Sequence, residues 1–431
     1  MELLKNNVKK RIDFLGEEIS VLLKEHPDCS IGEIKLKQVL GGMRGLTALV
    51  CNTSFVDPYQ GLFISNYAIP EFEDKLPEEV FYLLCAGKFP DEYELEELME
   101  ELRERAELPE YMWSFIRNLP AGMHPMTMFS MCILAMEGLS VFKRKYAAGE
   151  ISKSEFWEYT LEDALNLLAK LPTIAAAIYR IHLLHEEAIA YNPSLDLGGN
   201  LANMLGVNPR ISCAELMRLY LVLHCDHEGG NVSAFTSRVV NSALSNLYYA
   251  TSAGLNGLAG PLHGLANQVC LKFIHTIHEH FGESPSTNQL SEFVKEELDA
   301  GRVIPGYGHA VLRVTDPRFT SFMEFGNRHC PNTPYLQTVK KLYHVVPEIL
   351  KSYKGGKVAN PYPNVDAISG TLLYQYGITH FDFYTVMFGI SRTFGFCAQS
   401  IMALGLNQPI IRPKSVTNKW LKDYLEKTES K

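Results

Sequence analysis

The sequence predicts a mainly α-helical protein, and three observations carry that prediction. From Pro77 onward apolar residues recur at helical spacing with little interruption. The apolar stretches 122–139, 155–185, 233–254 and 385–404 have the length of buried helices, not of strands. Strand-like pieces occur only near the N-terminus, at 49–56 and 61–69, parted by Asp57-Pro58. With 431 residues, 46% of them hydrophobic and 21% charged, the chain has material for a large core and for two domains.

Taken in order, an amphipathic helix is expected over 5–26, followed by the glycine-punctuated turn Gly41-Gly42-Met43-Arg44-Gly45. The acidic 94–108 reads as a helix with a solvated face, and the methionine-rich 122–139 as core. Residues 143–150 read as a charged connector and 155–185 as helix interrupted by Pro172. Further helices are expected over 216–224, 233–254 and 385–404, the last with Arg392 as its only charge. Polar residues inside the last two argue for packed core or a subunit interface against a membrane span.

A net charge of -9 offers nothing to nucleic acid or an anionic membrane, so an anionic ligand would need a local arginine cluster. Nine scattered cysteines without a C-x-x-C point to reduced thiols inside a cell, with no disulfide framework and no structural metal. The start, Met1-Glu2-Leu3-Leu4-Lys5, has neither the apolar core of a signal peptide nor the acid-free composition of a transit peptide. A cytoplasmic location is therefore expected, with the mitochondrial matrix as the alternative if a transit segment has been removed.

Chemistry concentrates in Arg302-Val303-Ile304-Pro305-Gly306-Tyr307-Gly308-His309, which runs on through Arg313 to Asp316-Pro317-Arg318. Glycines turn the backbone with N–H groups exposed, and arginines add charge, so the loop suits a phosphate-bearing ligand with His309 as a general acid. His224-Cys225-Asp226-His227-Glu228-Gly229-Gly230 lacks metal-site order and ends at two glycines, so a helix end facing an anion fits it better. His263, after Gly260-Pro261 and before Gly264, sits where a new helix would begin. A neutral imidazole there is able to donate to a carbonyl oxygen and stabilise an enol, although a core histidine fits the same position. Asp366, after the stiff Asn360-Pro361-Tyr362-Pro363, is an N-cap by composition and a carbon-acid base by placement. Arg392 and Arg412, with Arg318, suggest a ligand with more than one carboxylate.

These strings, in this order, resemble the citrate synthase family of eukaryotic type. The similarity runs through Gly41–Gly45, Leu216-Met217-Arg218-Leu219-Tyr220, Asp226–Ser233, Gly257–Gln268, Pro305–Arg318, Asn364-Val365-Asp366 and Arg412-Pro413-Lys414-Ser415. It implies a homodimer with a large domain (1–264 and 378–431) and a small domain (265–377) around an active-site cleft. It implies condensation of acetyl-CoA with oxaloacetate and hydrolysis of citryl-CoA, with acetyl-CoA as co-substrate and no cofactor or metal. By the resemblance, Asp366 is the base, His263 stabilises the enol and His309 polarises the oxaloacetate carbonyl. His227, Arg318, Arg392 and Arg412 match oxaloacetate ligands, Arg412 reaching from the other subunit. Arg44, Arg313 and, less closely, Lys153 match contacts to CoA phosphates, and Val303, Gly306, Tyr307 and Gly308 would face the adenine.

The sequence departs from the family pattern at Ile64-Ser65-Asn66-Tyr67, Gly198-Gly199, Phe235, Arg238, Ala359, Tyr362 and Ile368. None removes a catalytic side chain. Two alternatives stand beside this expectation. One is a 2-methylcitrate synthase using propionyl-CoA, since one methylene is worth only about 1–3 kcal/mol in an apolar pocket. The other is a non-catalytic structural relative.

Overall fold

A computed structural model describes residues 1–208, 211–309, 311–353, 358 and 360–429 of the chain. Ala310 of the glycine loop and the departure at Ala359 lie outside them. Helices dominate, as expected: twenty α-helices and a single three-stranded sheet are present among the described residues. The sheet is a meander of β1 (Ser54–Asp57), β2 (Gly61–Ile64) and β3 (Tyr67–Ala68), antiparallel throughout, with Phe55 opposite Phe63.

The core is organised by the helix Tyr384–Gly405, nearly every side chain of which is buried. It packs against Phe156–Leu168, Val232–Ser242, Ile211–His224, Leu247–Leu258 and Pro77–Ala86. Apolar residues around its whole circumference permit this, because a helix hydrophobic on every side must be surrounded. Arg392 is the one charge inside it, and 2% of its surface is exposed. A second group, Ala266–Phe281, Thr287–Asp299, Pro317–His329, Pro334–Ser352 and Asp366–Gln375, packs mainly on itself.

Several local expectations are revised. The first helix runs Glu2–Glu25. The stretch 143–150 is not a connector: Val141–Ala147 is helical, started by Ser140, whose hydroxyl accepts from the Lys143 N–H. The stretch 233–254 is two helices, parted where Leu244 takes a positive φ of 60° and Asn246 caps the second. The acidic helix, Glu92–Arg105, is solvated on one face only; Leu98 and Leu102 are buried on the other. Pro172 does break its stretch, giving Phe156–Leu168 and Leu171–Ile178. Among the described residues, 153–184 is long and apolar enough to cross a membrane, and it is mostly buried inside the fold. All nine cysteines are free.

Candidate active site

The glycine loop is laced to the segment before Asp366 by backbone bonds. Gly308 N–H donates to Tyr362 C=O (3.0 Å), Asn364 N–H to Gly306 C=O (2.8 Å) and Asp316 N–H to Pro363 C=O (3.1 Å). The Asn364 amide adds a bond to Gly308 C=O (3.0 Å). Gly306 has φ 80°, and a Cβ there would stand 2.7 Å from Ala367 Cβ and 2.9 Å from Cys270 Sγ. Only glycine lets the loop press this closely on the helix that Asp366 begins. The loop is also tied to the sheet, since Arg313 N–H donates to Pro58 C=O (2.7 Å) in the β1–β2 turn. Gly61 closes that turn with φ 92°, pressed against the Pro317 ring.

Asp366 is the first residue of its helix and does not cap it; Val365 precedes it there. Its N–H is taken by the Asn364 side chain (3.0 Å), and among the described residues its carboxylate accepts no hydrogen bond. Burial raises its pKa to about 6, against the opposing pull of Arg318. A carboxylate without donors, titrating near neutrality, is a poised proton acceptor.

Two imidazoles have their tautomers fixed by backbone donors. The Nδ1 of His309 accepts from the N–H groups of Val311 and Leu312, both at 3.0 Å. An N–H cannot accept, so Nδ1 holds a lone pair and the proton sits on Nε2. His263 has the opposite arrangement: Nε2 faces the Ser233 N–H (3.3 Å) and hydroxyl (2.8 Å), which leaves Nδ1 protonated. Its donor-rich neighbour is thus the first turn of Val232–Ser242, not the helix that follows it in sequence. Burial lowers both histidines to about 4, helped by Arg318 at His309 and by Arg392 at His263. Both are neutral donors at physiological pH.

The anion-binding charge is supplied by two buried guanidinium groups. Arg318 is gripped by Asp316, the cap of its own helix, through Nη2 (2.7 Å) and Nε (3.1 and 3.2 Å). Burial opposes its charge, yet Asp316 holds its pKa above the ordinary arginine range. Arg392 donates from Nε to His224 C=O (3.0 Å) and lies 4.8 Å from the centre of the Phe388 ring. With no carboxylate in direct contact, burial lowers it to about 10, so it stays charged. Its two Nη groups make no hydrogen bond among the described residues. His227, its ring 5.6 Å from that of His309, is held neutral by burial and by both arginines.

Behind His227 lies Asp226, wholly buried. It accepts from Thr53 and Ser54 hydroxyls (2.5 and 2.9 Å), the Gln399 amide (2.8 Å) and the His227 N–H (3.0 Å). Asn231 caps the next helix, its Oδ1 accepting from the Ala234 N–H (3.0 Å). Asp316, Asp226, Ser233 and Asn231 received no role from the sequence. Asp-Pro-Arg and Asn-Val-Ser at helix starts carry a capping signal for two of them; the side-chain partners of Asp226 lie 172 or 173 positions away.

His224 has Nδ1 on Tyr220 C=O (3.1 Å) and burial lowers it to about 3, so it faces the core and not an anion. The fold therefore gathers His227, His263, His309, Arg318, Asp366 and Arg392. Gly306, Tyr307 and Gly308 lie in the loop that leads to His309, and Val303, at its start, is 81% exposed. Arg313 lies at the end of the same loop. Arg44, Lys153 and Arg412 are exposed, and among the described residues no hydrogen bond or ion pair joins them to the gathered side chains.

The family model described as citrate synthase, C-terminal domain, matches residues 42–414. Citrate synthase 4, mitochondrial, of Arabidopsis thaliana is 45% identical, with 99% of this chain and 91% of the relative covered. The mitochondrial citrate synthase of Saccharomyces cerevisiae is 43% identical over the same shares. Among solved structures, citrate synthase from Pyrobaculum aerophilum superposes with a TM-score of 0.78 at 28% identity, covering 90% of this chain and 95% of that one. The citrate synthase of Thermoplasma acidophilum, solved as a ternary complex with carboxymethyl coenzyme A and oxaloacetate, has a TM-score of 0.76 at 22% identity. It covers 89% of this chain and 96% of its own, and shows the shared fold. The relatives named as mitochondrial overturn the expectation of a cytoplasmic chain.

Proposed function

The chain belongs to the citrate synthase family, and from the side chains that converge in its cleft we propose how it carries out the reaction. It is an acyl-transferring enzyme that condenses acetyl-CoA with oxaloacetate and hydrolyses citryl-CoA to citrate and free CoA. The names of its relatives support a mitochondrial location.

Oxaloacetate binds first, its carboxylates on Arg318, Arg392 and His227. The Asp366 carboxylate takes a proton from the acetyl methyl group. The electrons move onto the thioester oxygen, which receives a hydrogen bond from His263 Nδ1–H, so an enol-like nucleophile forms without a charged oxygen in a dry site. The enol carbon attacks the oxaloacetate keto carbon. A carbon–carbon bond forms, the C=O bond opens, and His309 Nε2–H supplies the proton to the new alkoxide. Water then cleaves the thioester. The observation that carries this reading is the pair of tautomers: His309 spends its lone pair on two backbone N–H groups and His263 on one, and each presents its proton from the other nitrogen.

Acetyl-CoA serves as co-substrate. Its adenine lies along the backbone of Val303 and Gly306–Gly308, its phosphates near Arg313 and Arg44, with Lys153 the weakest candidate of the three. We group 1–264 with 378–431 as a large domain and 265–377 as a small one, which the self-contained packing of the second helix group supports.

The active form is a homodimer in which Arg412 completes the partner's oxaloacetate site. Its exposure supports this, as does the helix Asn418–Glu429, which buries none of its described side chains. Mixed dimers test both assignments. Asp366→Asn homodimers are expected to be nearly inactive, and Arg412→Leu homodimers to be nearly inactive at low oxaloacetate because their KM for it is raised. Reassociation of the two restores activity, because one site of each hybrid then has both groups. Failure to complement would contradict the reading in trans.

A further inference from the structure

The arm that carries Arg412 is held by one helix through two side chains a turn apart, and we propose that Arg238 is a positioning residue for oxaloacetate binding, setting where Arg412 stands for the neighbouring subunit. The inference rests on the reading of Arg412 given above.

Arg238 lies in Val232–Ser242 and is 5% exposed. It forms no ion pair among the described residues. Its Nη1 donates to Val50 C=O (2.8 Å) and its Nη2 to the Gln408 side-chain oxygen (2.7 Å). Four residues on, on the same helical face, the Ser242 hydroxyl accepts from the Ile411 N–H (3.0 Å). Ile411 immediately precedes Arg412.

Among the described residues these are the side-chain bonds that hold 408–411, and no helix or strand forms between Gly405 and Asn418. Ile410 is 59% exposed, so apolar packing does little to fix the arm. A buried guanidinium without a carboxylate partner is costly. Here that charge is spent on two neutral acceptors in distant chain segments, one leading from Arg44 and one leading to Arg412.

The other end of the same helix carries the Ser233 N–H and hydroxyl that face His263. One rigid element thus touches the imidazole of its own site and aims the arginine of its neighbour's. Arg238 touches no substrate in this arrangement and acts only through the arm.

The test compares Arg238→Ala, Gln408→Ala, Arg412→Ala and the Arg238→Ala/Arg412→Ala double variant by steady-state kinetics and light scattering. Gln408→Ala removes the tether while leaving the Arg238–Val50 bond, so it decides the matter if Arg238→Ala fails to fold. Arg238→Ala and Gln408→Ala are each expected to raise KM for oxaloacetate about tenfold, since displacing a positioned group by about 1 Å costs up to about 10²-fold. The KM for acetyl-CoA and the dimer stay unchanged. The double variant is no worse than Arg412→Ala alone, because both losses act through one group. A normal oxaloacetate KM in Gln408→Ala, or additive losses in the double variant, would overturn the proposal while leaving Arg412 in its role. An Arg412→Ala enzyme with normal KM would remove the underlying reading, and this inference with it.

Discussion

Replacing Asp366 by Asn should make the protein more stable and nearly inactive at once. Burial lifts this carboxyl from 3.8 to about 6. A rise of roughly two units corresponds to about 3 kcal/mol against the ionised form at pH 8. Its place at the start of a helix returns up to about 1 kcal/mol, so the neutral amide gains about 2–3 kcal/mol. The sign follows from linkage: the folded protein binds this proton more tightly than the unfolded chain. The penalty is therefore full above pH 6, shrinks as pH falls, and is gone below the unfolded value of 3.8. Urea unfolding at fixed protein concentration should show the Asn variant ahead by about 2–3 kcal/mol at pH 8 and by about half as much at pH 5. Turnover should fall by about 10²–10⁴-fold, the usual worth of a general base. An Asn variant no more stable than the native protein at pH 8, or a stability gap indifferent to pH, would refute this account of the site.

Three further outcomes follow from the same geometry. Initial rates should show kcat/KM for acetyl-CoA dropping tenfold per pH unit below about 6, as Asp366 is protonated, with no second inflection between pH 6 and 8 from His263 or His309, which titrate near 4. Gly306→Ala meets both a positive φ of 80° and contacts below 3 Å. Calorimetry should show a loss of about 1–3 kcal/mol, with kcat reduced because the loop that aims His309 no longer seats on Ala367. Asp316→Ala leaves Arg318 buried without its partner; denaturation should register a loss of about 3–5 kcal/mol, and KM for oxaloacetate should rise.

The sequence made the reactive groups legible because each sits in a short string whose composition is hard to explain as packing. Gly-Tyr-Gly-His, Pro-Leu-His-Gly and Pro-Asn-Val-Asp combine backbone punctuation with one reactive side chain. The long apolar helices were equally plain, since period and length suffice for them. What stayed hidden depends on approach in space. Asp226 gains its side-chain partners from Thr53 and Ser54 at the start of β1 and from Gln399 in the helix Tyr384–Gly405, and Arg318 gains its grip from an Asp that caps its own helix. The helix Val141–Ala147 was masked by its lysines, which a partly exposed helix tolerates, and the break at Leu244 by a left-handed residue that is not glycine. The tautomers of His263 and His309 follow only from which backbone N–H groups face them.

The central claim is that one cleft deprotonates acetyl-CoA and joins it to oxaloacetate with Asp366 as base. Release of free CoA thiol, followed with native protein and with Asp366→Asn, tests it most directly. Release from acetyl-CoA that requires oxaloacetate and collapses in the Asn variant is the predicted result. Release from propionyl-CoA alone, or undiminished release by the Asn variant, would contradict it.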